Sequence, residues 1–90
     1  MTTHFSRHPD IRLTALEGEG VVLHLGARKY FTVSETGLSI LEALKSPKQF
    51  DEIVQLITEE YDVTPDAANE SVKAFVDHCV SAAVVQATTS

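Results

Sequence analysis

Residues 28–44 read Arg-Lys-Tyr-Phe-Thr-Val-Ser-Glu-Thr-Gly-Leu-Ser-Ile-Leu-Glu-Ala-Leu, and the spacing of apolar residues changes inside this stretch. Up to Val33 the period is two, with Phe31 and Val33 on one side and Tyr30 and Thr32 on the other, as a half-buried strand requires. Beyond Ser34 the period is helical, and Ile40, Leu41 and Leu44 form one stripe. Ser34 is a good N-cap, and Glu35 places a negative charge in the first turn, where the helix dipole favours it. The chain therefore passes from sheet to helix at residue 34.

Working back from that point, Ile11, Leu13 and Ala15 alternate with Arg12 and Thr14, a first strand. Glu17-Gly18-Glu19-Gly20 reads as a turn. Val21-Val22-Leu23-His24-Leu25 follows as a second strand with Val21, Leu23 and Leu25 on one face, and Gly26-Ala27 turns the chain into the third strand, 28–33. Short turns between consecutive strands make an antiparallel meander.

Working forward, Lys45-Ser46-Pro47 ends the first helix. Phe50, Ile53, Val54 and Ile57 mark a second helix, and Tyr61-Asp62-Val63 leads onward. Thr64-Pro65-Asp66 opens a third helix with an N-cap, a proline at the first position and an acid in the first turn. Its stripe is Ala68, Val72, Phe75, Val76, Cys79 and Val80. The expected fold class is α+β: a three-stranded antiparallel sheet followed by three helices, winged helix-turn-helix-like in outline. The helices should cover one face of the sheet, because three strands alone do not stay folded. Residues 1–9 and 87–90 are expected to be flexible, leaving one domain over 10–86.

Ninety residues allow one domain only, and 43% hydrophobic with 22% charged residues excludes disordered and collagen-like chains. The net charge is −6 and unevenly spread: four basic residues face three acidic ones up to Val33, then three face ten. Phosphate binding needs clustered Lys and Arg, so nucleic acid is a disfavoured partner. Cys79 is the sole cysteine, so no intramolecular disulfide forms, which suits a reducing compartment. The start of the chain lacks the apolar run of a secretory signal, and Ala82-Ala83-Val84-Val85 falls far short of a membrane span. A cytoplasmic protein that does not enter a membrane is expected.

The chemical constellations are poor. His4 and His8 lie four apart in a segment without helical periodicity, and the neighbours His78 and Cys79 would point in different directions on a helix. No metal-ligand spacing occurs, so no metal or other cofactor is expected; Cys79 reads as core, and His24 and His78 as exposed. Glu59-Glu60 and Asp51-Glu52 read as solvated helix faces, and nothing pairs a nucleophile with a base and an orienting group, so an enzyme is not expected. A winged-helix DNA binder matches the outline, but the third helix offers Asp66, Glu70 and Asp77 against Lys73 alone. That leaves strand 28–33, which ends the meander and exposes one edge. Either Arg28 and Lys29 simply guard it, or an extended peptide or a second copy of the chain adds to it.

Residues 28–44 resemble the "G-R-Y-Y-x-L-N-E-x-G-x-x-I-W-x-L-L" core of PqqD-like proteins. Pro47-Lys48-Gln49-Phe50-Asp51-Glu52-Ile53-Val54 resembles their "P-x-T-V-E-E-L-V" helix start. Tyr61-Asp62-Val63, Val72, Phe75-Val76 and Val84-Val85 resemble their "Y-D-V … D-V-x-x-F-L … G-L-V" end. The likeness runs over residues 9–86. It implies a RiPP recognition element: a non-catalytic adaptor that binds the leader of a ribosomally made precursor peptide. Such an adaptor presents the precursor to a leader peptidase or another tailoring enzyme; a free-standing 90-residue form fits lasso-peptide systems best, with delivery to a radical SAM enzyme as the alternative. The leader would add antiparallel to Arg28, Lys29, Tyr30, Phe31, Thr32 and Val33, facing Asn69, Val72, Lys73 and Val76 on the third helix. The chain departs from the pattern at Ser34 (Asn), Leu41 (Trp), Gln49 (Thr) and Ala83 (Gly), which touches helix ends more than the groove.

Overall fold

A computed structural model describes residues 2–89. In chain order the elements are β1 (Thr3–Arg7), β2 (Ile11–Leu16), β3 (Glu19–His24), β4 (Lys29–Ser34), α1 (Glu35–Ala43), β5 (Lys48–Gln49), α2 (Phe50–Glu60), α3 (Pro65–Ser81) and β6 (Val85–Thr89). The meander β2-β3-β4 and the three helices fall where the periodicities put them. Ser34 closes β4 and also caps α1, its hydroxyl accepting from the Gly37 amide at 3.2 Å. Thr64 caps α3 in the same way, accepting from the Ala67 amide at 3.2 Å. At α2 the weaker Gln49 cap is offset by Glu52, whose carboxylate accepts the Gln49 amide at 2.9 Å.

Two expectations about the sheet are corrected. There are two three-stranded sheets, β2-β3-β4 and β5-β1-β6. The ends expected to be flexible build the second one: β1 pairs antiparallel with β6 from Thr3↔Thr89 to Arg7↔Val85. The Arg7 amide bonds the Leu44 carbonyl and the His8 amide the Val84 carbonyl, both at 2.9 Å, which ties this sheet to the ends of α1 and α3.

The buried face of β3 carries Val22 and His24 rather than the stripe of Val21, Leu23 and Leu25. Register pairs Gly20 with Val33, Val22 with Phe31 and His24 with Lys29, so Val22 and His24 face the helices. Leu23 and Leu25 lie on the outer face, 41% and 47% exposed. Leu38 of α1 packs onto Gly20, where any Cβ would stand 2.7 Å from Leu38 Cδ1, so this register leaves room for the helix.

His24, read from the sequence as exposed, is 5% exposed. Its Nδ1 accepts the Ala27 amide at 3.1 Å, and its ring lies 4.8 Å from that of His8. This clamps the turn 25–28, in which Arg28 adopts φ +56°.

Ile40, Leu41, Leu44, Ile53, Ile57, Ala68, Val72, Val76, Cys79, Val84 and Val85 form the core with Ile11 and Val22. Val80, included in the helical stripe, is 39% exposed. α3 ends in a Schellman arrangement: the Val84 amide reaches the Cys79 carbonyl at 2.8 Å and the Ala83 amide the Val80 carbonyl at 3.1 Å. Ala83 takes the left-handed position at φ +60°. The family pattern has glycine at 83, and also at 28.

Candidate peptide-binding groove

Strand β4 is an edge. It pairs with β3 on one side and, among the described residues, with no strand on the other. Beyond its free side stands α3, across a cavity of about 310 Å³. Phe31, Thr32, Val33 and Ser34 form the strand wall; Phe75, His78, Cys79 and Ala82 form the helix wall; Val22, Leu41 and Val84 also border it. A second cavity of about 560 Å³ lies between the start of α1 and α3, and it shares Ser34, Phe75 and His78 with the first. The two adjoin at these shared residues, a lane along the end of β4 and past the N-terminus of α1.

The geometry suits an extended chain. A strand placed about 4.8 Å from β4 would bond its edge and send alternate side chains to opposite faces. Those on the Phe31 and Val33 side would enter the groove. Those beside Tyr30 and Thr32 would lie on the outer face, where Tyr30 is 75% exposed opposite Leu23. Ser34, His78 and Cys79 are the polar side chains of an otherwise apolar wall, which Thr32 borders as part of the strand. Burial pushes the Cys79 thiol up to about 11, so it is uncharged at neutral pH.

Of the residues drawn from the resemblance, Phe31, Thr32 and Val33 border the groove. Arg28 and Lys29 are exposed at the start of β4, and Tyr30 points away from the groove. The helix residues sit differently from expectation. Val72 and Val76 are core, 0% and 2% exposed, with only Val72 reaching the second cavity; Asn69 and Lys73 are exposed and border neither. Phe75, His78, Cys79 and Ala82 stand in their place. These four are spaced i, i+3, i+4, i+7, a stripe readable from the sequence but partly merged with the core-facing one. Among the described residues no group of three His, Cys, Asp or Glu side chains could hold a metal ion. No helix there is long and apolar enough to cross a membrane.

Comparison with known proteins places this arrangement. The family model described as coenzyme PQQ synthesis protein D (PqqD) matches residues 19–85, which span β3 to the start of β6. The chain belongs to the PqqD family. Two solved structures share its fold. One is TbiB1 in complex with the TbiA(beta) leader peptide, with a TM-score of 0.78 at 23% identity, covering 90% of this chain and 94% of that one. The other is a lasso peptide synthetase B1 complexed with its leader peptide, with a TM-score of 0.75 at 21% identity, covering 91% and 96%. No curated protein sequence matches. In the second sheet, β1 and all of β6 but Val85 fall outside the family match, while β5 lies within it; the shared fold covers nine-tenths of this PqqD-family chain.

Proposed function

We propose that this PqqD-family protein is a leader-binding adaptor for a ribosomally made precursor peptide. The leader segment adds as an antiparallel strand to the free edge of β4, with alternate side chains seated against Phe75, His78, Cys79 and Ala82 of α3. The adaptor carries no reaction of its own; in the cytoplasm it hands the precursor to a leader peptidase or another tailoring enzyme. The observation that carries this reading is the open edge of β4 facing an apolar helix wall across the groove. Edge amides and carbonyls supply register, and the groove supplies pockets for side chains. The two structural neighbours, both leader-peptide complexes and one a lasso peptide synthetase B1, support lasso-peptide biosynthesis as the setting. The family description supports a second setting, pyrroloquinoline quinone assembly, in which the same groove serves a different precursor. A winged-helix role on DNA fits poorly, because Asn69, Glu70, Lys73 and Asp77 expose two acids and one base along α3.

Strand addition has a distinctive test. Leader peptides N-methylated at one backbone amide at a time lose one donor each, and only every second amide of an added strand faces β4. Isothermal titration should give losses of affinity that alternate along the leader. A leader bound with no such alternation would contradict strand addition.

A further inference from the structure

The lane beside β4 has a charge pattern unlike the rest of the molecule. The chain holds 13 acidic residues, yet no Asp or Glu borders either cavity. Among the residues that do, His78 alone can carry a positive charge, since the Cys79 thiol is neutral and the others do not titrate. His78 is exposed in the last turn of α3 and borders both cavities. It stands with Ser34 and Phe75 where the two cavities adjoin. At the other end of β4 stand the exposed Arg28 and Lys29. The groove is thus an acid-free lane with the cations Arg28 and Lys29 at the start of its strand and the imidazole of His78 where the two cavities adjoin, cut into a molecule of net charge −6.

We propose that His78 is the specificity-determining residue of this groove. Resting on the leader-binding reading above, it selects leaders that bear a carboxylate where the two cavities adjoin. The imidazole N–H donates to that carboxylate, and the apolar wall of Val33, Phe75 and Ala82 lowers the competition from water. The acidic surface elsewhere repels the same peptide, so the field that excludes it from other faces directs it into the lane. Asn or Gln at that leader position would lose the charge contribution, and a bare methyl would leave the imidazole unanswered.

The test is a double-mutant cycle with a fluorescein-labelled synthetic leader peptide that contains Asp or Glu. Affinities are measured by anisotropy for the wild type, His78→Ala and His78→Arg. The leader is used intact and with each Asp or Glu changed in turn to Asn or Gln. His78→Ala should weaken the intact leader about three- to fivefold, the size of a partly exposed hydrogen bond to a carboxylate. His78→Arg should retain affinity, and one leader carboxylate should account for the whole difference, so that its amide variant binds wild type and His78→Ala alike. If the wild type binds and no carboxylate couples to residue 78, the selectivity proposal falls while leader binding stands. A tightly bound leader without any carboxylate overturns it equally. If the wild type does not bind the leader at all, the adaptor reading falls and takes this proposal with it.

Discussion

A Cβ placed on Gly37 would stand 2.8 Å from Cε1 of Phe75 and 3.2 Å from Cβ of Val33. The Phe75 ring therefore rests on bare α1 backbone where β4, α1 and α3 converge, between the two halves of the groove. Because the ring is the far end of a side chain, it can swing away, and the open space available to it is the groove itself. Gly37→Ala should also gain helix propensity of up to about 1 kcal/mol, offsetting much of the crowding. Urea denaturation should show stability changed by less than about 1 kcal/mol, while leader affinity falls at least tenfold. Unchanged affinity would mean that Phe75 does not set the shape of the groove.

The end of α3 carries strain that a single substitution removes. Ala83 holds φ +60° at the left-handed position of a Schellman motif, where glycine has no Cβ penalty. Ala83→Gly should stabilise the fold by about 0.5–1 kcal/mol, raising Tm by roughly 2–8 °C for a domain of this size. Leader affinity should not change. A lower Tm would contradict the left-handed geometry at this residue.

His24 performs a structural task that a hydrophobic isostere cannot. Its Nδ1 accepts the Ala27 amide, holding the turn that delivers Arg28 and Lys29 to the start of β4. His24→Leu fills the space and loses the acceptor, so it should cost about 1 kcal/mol. His24→Asn, whose amide oxygen can take the place of Nδ1, should restore protection of the Ala27 amide even though it packs less well. Amide hydrogen exchange at Ala27 distinguishes the two: fast in Leu, slow in Asn and wild type. Equal protection in all three would mean that the turn holds without this bond.

Cys79 reports on the groove without mutation. With its thiol pushed up to about 11 by burial, it is a poor nucleophile at neutral pH. At pH 8 about one thiol in a thousand would be ionised. Reaction with Ellman's reagent should be slow in the folded protein and fast in urea. Because Cys79 forms part of the groove wall, saturating leader should slow it further. A rate indifferent to leader would place the peptide elsewhere.

The sequence made the elements around Ser34 legible because each announces itself locally: β4 by alternation, α1 and α3 by caps, α2 by its stripe. What escaped was non-local. β1 contains one large apolar residue, Phe5, and its partner β6 is polar after Val85 because it lies exposed at a sheet edge. Neither segment shows a pattern alone, and the ladder joining them closes across the whole chain. The choice of face on β3 also needed the helix. Val21, Leu23 and Leu25 form as apolar a stripe as the buried one, and the deciding residue is Gly20, whose missing side chain admits Leu38. In the groove the strand wall could be read directly. The helix wall could be read only in part, because α3 is apolar over a wide arc and the stripe facing the groove merges with the arc facing the core, Val72 and Val76.

Backbone amide shifts on adding a synthetic leader peptide decide whether a strand adds to β4. Shifts should concentrate at residues 29–34 of β4 and 75–82 of α3, with β6 and the outer surface of α2 unmoved and a short DNA duplex producing no change. Shifts centred on another surface, or a response to duplex and none to leader, would contradict strand addition at β4.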